Sequence, residues 1–137
     1  MKIFVDTGAW IARQINSDIF NKSSIKSYQK YKQNRALFFT NSFVLSETYT
    51  KLIYDYGLKV ASQFHEIVNE ALELRELSVF EIDGKERGIA WTYLKKYSDH
   101  ELSFTDATII ANFNEFNLDE IFTFDHHFKD INLPTNL

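Results

Sequence analysis

The stretch Lys2-Ile3-Phe4-Val5-Asp6-Thr7-Gly8-Ala9-Trp10 opens the chain. It holds a short apolar run, then an acid, then the start of a helical pattern over Thr7–Gln14. An apolar run that short, bounded by polar residues, suits a strand buried on both faces. Three more segments read the same way: Ala36–Thr40, Ser78–Ile82 and Glu120–Phe124. Helical patterns fill the intervals. Lys22–Arg35 carries lysines at i, i+4 spacing. Ser42–Tyr56 places Val44, Thr48, Leu52 and Tyr56 on one side, and Gly57 stops it. Leu58–Leu77 carries Ala61, Phe64, Val68, Ala71, Leu72 and Leu74. Asp83 and Glu86 form a capping-box pattern that starts Gly84–Tyr97. Ser103 and Asp106 form another, starting a helix to about Phe116. Strands alternating with helices make βαβ units with right-handed connections and helices on both faces. The expected fold class is α/β: three layers, α/β/α, around a central, mostly parallel sheet of four to five strands.

The 137 residues make one domain, with no repeat, linker or low-complexity segment. Aromatics reach 16%, mostly Phe, so the core should be rich in rings. The absence of cysteine excludes disulfides, thiolate zinc sites and cysteine nucleophiles, and suits a reducing cytosol. The opening apolar run is too short for a signal peptide, and no segment approaches the roughly 20 apolar residues of a spanning helix. A soluble, cytoplasmic protein without membrane contact is expected. The net charge of −4 runs against nucleic-acid binding, but its distribution is uneven. Between Lys22 and Arg35 there are five basic residues and no acid: Lys22, Lys26, Lys30, Lys32 and Arg35. From Glu66 to Asp83, six acids face only Arg75.

Four other acids stand where burial is expected. Asp6 ends Ile3-Phe4-Val5, and Asp125 ends Ile121-Phe122-Thr123-Phe124. Glu47 lies within Ser42-Phe43-Val44-Leu45-Ser46-Glu47-Thr48, and Asp106 within Leu102-Ser103-Phe104-Thr105-Asp106-Ala107. Carboxylates are rarely buried unless paired or bound to metal. In an open α/β sheet, ligands bind beyond the carboxyl ends of the strands, an edge these four can share. Converged, they form an oxygen-rich pocket suited to magnesium or manganese, and that chemistry points to phosphodiester hydrolysis. Each acid also has a plainer reading. Asp106 completes a capping box, Asp6 caps the helix at Thr7, Asp125 caps a turn through His126-His127-Phe128, and a mid-helix Glu47 faces solvent. Asp99 reads as a solvated loop residue. His126 and His127 invite zinc, but adjacent histidines diverge and no third His or Cys is near, so the expectation is local packing, with room for one of them near a substrate phosphate. No Gly-x-Ser-x-Gly elbow supports a serine nucleophile, and no glycine-rich phosphate loop is present.

Phe4-Val5-Asp6-Thr7, Thr40-Asn41-Ser42 leading to Glu47, Leu102-Ser103-Phe104-Thr105-Asp106-Ala107 and Thr123-Phe124-Asp125-His126-His127-Phe128 together resemble the PIN domain. The resemblance is greatest to the VapC-like toxins, ribonuclease halves of type II toxin–antitoxin pairs, and it spans essentially the whole chain. It implies a PIN fold and a magnesium- or manganese-dependent endoribonuclease. By position, Asp6 and Asp106 would be direct metal ligands, with Glu47 and Asp125 completing the pocket directly or through water. Thr7 and Ser103 would orient these carboxylates. It also implies an antitoxin partner and a homodimer. Lys22, Lys26, Lys30 and Arg35 are the candidate RNA track. Two alternatives stay open: a non-catalytic module on the same fold, and an RNA-processing nuclease outside any toxin–antitoxin pair. An aspartyl-phosphate phosphotransferase is disfavoured by Thr7-Gly8-Ala9 after Asp6.

Overall fold

The computed structural model describes residues 1–137. Four strands, β1 (Lys2–Val5), β2 (Leu37–Asn41), β3 (Leu77–Phe80) and β4 (Glu120–Phe122), form one sheet in the order β3-β2-β1-β4. Every pairing is parallel. Around the sheet lie α1 (Thr7–Gln14), α2 (Asn21–Gln33), α3 (Ser42–Tyr56), α4 (Leu58–Glu73), α5 (Gly84–Lys96), α6 (Phe104–Glu115) and α7 (His127–Asp130). This is the expected three-layer α/β/α architecture, with four strands and no antiparallel one. No helix is long and apolar enough to cross a membrane.

The pleat divides the aromatic core between two faces, since neighbours along a strand point opposite ways. Phe38 packs against Tyr28 and Tyr31 of α2. Its neighbour Phe39 stacks on Phe80, which stacks on Phe116 at the end of α6. Ile3, Phe4, Ile121 and Phe122 are fully or almost fully buried, so β1 and β4 carry covered rows on both sides. One buried polar cluster crosses between layers. Asn41 caps α3 by accepting from Val44 N–H (2.9 Å) and donates to Thr108 Oγ1 (3.1 Å) and Asn112 Oδ1 (2.8 Å) on α6.

Several boundaries differ from the sequence expectation, each for a local reason. The helix after Gly57 ends at Glu73, not Leu77. Arg75 takes φ 57°, and Glu76 N–H closes back on Ala71 O at 3.0 Å, a left-handed stop made without glycine. Arg35 and Asn117 end α2 and α6 in the same conformation, at φ 54° and 51°. The third strand runs Leu77–Phe80, and Ile82 N–H goes to Ser42 Oγ instead of a ladder. The fourth stops at Phe122, because Thr123 N–H is taken by Asn136 Oδ1. Only half of the Asp83 capping box forms: Asp83 accepts from Glu86 N–H, while the Glu86 carboxyl turns into the protein. Tyr56, Leu72 and Leu74 are exposed rather than core.

The strand order positions the site. β1, β2 and β3 step in one direction across the sheet, and β4 then returns to the far side of β1. The connections on either side of β1 therefore diverge at its carboxyl end, leaving a crevice between β1 and β4. Asp6 follows β1 and Asp125 follows β4.

Candidate active site

The last rung of the β1–β4 ladder, Asp6 N–H to Phe122 O at 3.0 Å, places Asp6 at the mouth of that crevice. Its carboxylate is buried and held twice. Oδ1 accepts from Thr7 N–H (2.8 Å) and Oδ2 from Thr123 Oγ1 (2.9 Å). Thr123 Oγ1 in turn accepts from Asp125 N–H at 3.0 Å, so one hydroxyl ties the ends of both strands together. Asp106 sits in the first turn of α6. The full capping box forms, with Ser103 Oγ accepting from Asp106 N–H and Asp106 Oδ2 from Ser103 N–H, both at 3.0 Å. Capping uses Oδ2, the oxygen that also faces His127 Nδ1 at 3.5 Å; a carboxylate oxygen has more than one acceptor site, so the two readings of Asp106 coexist. Asp125 Oδ1 accepts from His127 N–H at 2.9 Å and so opens α7.

Asp106, Asp125 and His127 form the tightest group, with one donor atom from each within 4.8 Å of the others. Asp6 lines the same cleft but is not in that group. Glu47 reaches it from α3 and is paired with Lys51 at 3.3 Å. Asp18, Glu101 and Asp130 also line the cleft, whose volume is about 880 Å³, and Lys51 is its single Lys or Arg side chain. A second hollow, of about 260 Å³, lies among Trp10, Tyr28, Phe38 and Ile67 and contains none of the four expected acids.

Carboxylates gathered away from water resist ionisation. Burial pushes Asp6 up to about 7, against hydrogen bonds from Thr123 and Thr7 that act the other way. The nearby Asp106 and Asp125 charges raise it further. Burial also raises Asp106, partly offset by the Ser103 amide. A bound divalent cation would reverse this cost. The donor set fits one: carboxylate oxygens, plus His127 Nδ1, which is buried and has no hydrogen-bond partner. Asp6, Asp106, Asp125 and His127 are the residues that could hold the ion.

The expected residues therefore separate. Asp6, Glu47, Asp106 and Asp125 share one cleft, with Thr7 and Ser103 beside them. Thr7 holds Asp6 by its amide alone. Its hydroxyl points to α3, donating to Val44 O at 3.4 Å and accepting from Thr48 Oγ1 at 3.3 Å. The basic run is not drawn into the cleft. Lys30 lies beside Met1 and Glu120, and Arg35 precedes β2, both at the opposite edge of the sheet. Lys22 and Lys26 are exposed on α2 outside the cleft lining. Asp99 is exposed and outside it too. Two contributors escaped the sequence reading, Thr123 and Lys51, while His127, expected as local packing, lines the cleft. Thr123 stands two residues before an acid, where a hydroxyl commonly accepts a backbone amide, and that spacing was the available signal.

A parallel sheet with a carboxylate-lined crevice at its switch point defines the class as an α/β protein with an acidic cleft beyond β1 and β4. The chain matches the PIN domain over residues 3–133 and belongs to that family. Among solved structures it is similar to the toxin VapC20 of Mycobacterium tuberculosis, described as cleaving the sarcin–ricin loop. That match has TM-score 0.80 and 24% identity, covering 96% of this chain and 95% of that one. It is also similar to VapBC2 from Rickettsia felis, solved bound to a DNA fragment from their promoter, with TM-score 0.71, 16% identity and coverage of 99% and 98%. FitAcB from Neisseria gonorrhoeae follows at TM-score 0.67 and 14% identity, covering 97% and 95%. At these identities the likeness shows the fold. A search of curated proteins found no match.

Proposed function

We propose that this PIN domain is a divalent-metal-dependent endoribonuclease, the toxin half of a toxin–antitoxin pair. The observation that carries the reading is the convergence of Asp106, Asp125 and His127 within 4.8 Å, beside a buried Asp6, at the switch point of the sheet. Asp6 and Asp106 would hold magnesium or manganese, with Asp125 and Glu47 completing the pocket directly or through water. When bound, such an ion supplies a water acidic enough to lose its proton near neutral pH, and positive charge opposite the phosphate oxygens of the transition state. The protein's own contribution is orientation. Thr123 fixes Asp6 and Asp125 relative to each other, Ser103 fixes Asp106, and burial keeps bulk water from Asp6 and Asp106, while Asp125 stays half-exposed.

The similarity to VapC20 supports RNA as substrate, and a bound cation would offset the repulsion between this acidic crevice and a phosphodiester. An antitoxin that reaches into the cleft with a basic side chain, and a second copy of this chain as dimer partner, complete the reading. Purified protein, freed of any co-purified partner, would be incubated with total cellular RNA with magnesium or manganese, and with chelator. Cleavage that needs metal and disappears in Asp6→Asn and Asp106→Asn is expected. Cleavage that survives both substitutions overturns the assignment, and none by the wild type favours a silent module.

A further inference from the structure

We propose that His127 is a metal ligand through Nδ1, and that this nitrogen makes the site prefer manganese over magnesium. The inference rests on the metal-dependent reading above and adds a nitrogen to its carboxylates. The His127 side chain is 38% exposed, yet its Nδ1 is fully covered and satisfies no hydrogen bond. It lies 3.2 Å from Asp125 Oδ1 and 3.5 Å from Asp106 Oδ2, without the alignment of a hydrogen bond to either. Protonated, this nitrogen would pair with both carboxylates; unprotonated, it offers a lone pair beside the same oxygens that would bind a cation.

A cation accounts for the arrangement. Neighbouring donors around an ion at roughly 2.1 Å in octahedral geometry stand about 3.0 Å apart. The two separations from His127 Nδ1 are a few tenths of an ångström longer, and the three donors lie within 4.8 Å of one another, so side-chain adjustments within the cleft bring them onto one ion. The ring is not free to drift elsewhere. Asp125 holds the His127 amide, and the next residue, Phe128, is fully buried and anchors the short α7. His126, by contrast, is exposed. A nitrogen in the donor set disfavours magnesium, which keeps an all-oxygen shell, relative to the first-row transition ions, of which manganese is the weakest binder and shares magnesium's octahedral oxygen preference.

The test uses the full-length, partner-free protein without RNA. Manganese is titrated in and followed by electron paramagnetic resonance, and the bound ion is then examined by pulsed methods for coupling to an imidazole nitrogen. Nitrogen coupling is expected in the wild type and in His126→Ala, and is expected to vanish in His127→Ala. Manganese affinity in His127→Ala should fall at least about tenfold, the size of effect produced even by losing an outer partner. Magnesium affinity should fall less. Manganese bound by the wild type without nitrogen coupling overturns the inference and leaves the metal-dependent reading standing. So does coupling that disappears in His126→Ala and persists in His127→Ala. No manganese bound at millimolar concentration overturns the metal reading itself, and this inference with it. The wild-type spectrum decides the question even if His127→Ala fails to fold.

Discussion

Asp6 shows how a buried carboxylate costs stability. Its pKa is raised from 3.8 to about 7 by burial, so the folded chain binds this proton more tightly than the unfolded one. Its ionisation therefore weakens the metal-free fold progressively as pH climbs through that window, by on the order of 4 kcal/mol at completion. Asp6→Asn removes the titration. In chelator, urea unfolding of that variant should match the wild type most closely near pH 4 and exceed it by a few kcal/mol at pH 7.5 (the scale of the titration just removed). Equal pH profiles would contradict this account. Lys51 is the second residue whose effect can be stated. It is the cleft's one strong cation and is held by Glu47. Lys51→Gln should raise KM for RNA several-fold and flatten its salt dependence by about one phosphate contact, with kcat less affected. A KM unchanged across salt concentrations would remove Lys51 from the RNA path. The four acids were legible in the sequence because each follows a run that reads as buried. Thr123 and Lys51 were not, because a hydroxyl and an exposed lysine are unremarkable until the chain folds them against an acid.

Element limits were legible to within a few residues where a cap or glycine marks them. Asp6, Ser103 and Gly57 did so. The end of α4 was missed because Arg75, a residue with no turn preference, occupies the left-handed position. That conformation costs an L-residue roughly 1 kcal/mol, which glycine avoids. Arg75 is exposed, so Arg75→Gly should raise stability by about that amount, read as a higher denaturation midpoint at an unchanged urea m-value. A lower midpoint would mean that the arginine side chain holds something in place. α7 was legible only as a turn, for another reason. A single turn around His126-His127-Phe128 has too few residues for periodicity, and it exists because Asp125 caps it and Phe128 buries its ring.

At the scale of the whole molecule, the order β3-β2-β1-β4 decides where chemistry can occur. It puts a crevice beyond β1 and β4 and brings together residues more than a hundred positions apart, as in the Thr123–Asp6 hydrogen bond. Because the burial of these acids, and with it their mutual repulsion, is imposed by the entire fold, a cation should stabilise all of it. At manganese a hundredfold above its dissociation constant, the gain should be about 2.7 kcal/mol, or roughly 8 °C in Tm at pH 7.5. Asp106→Asn should lose most of that gain, and an equal manganese shift in wild type and variant would place the ion elsewhere. The sequence alone determined the α/β class, the alternation of elements and the four candidate acids, because hydrophobic period, caps and out-of-place charges are local properties. Tertiary structure alone decided that the basic face of α2 runs to the edge away from the acids. It also selected His127, and not His126, to meet Asp106 and Asp125. Those outcomes depend on strand order and on the packing of one buried phenylalanine, which no stretch of residues encodes by itself.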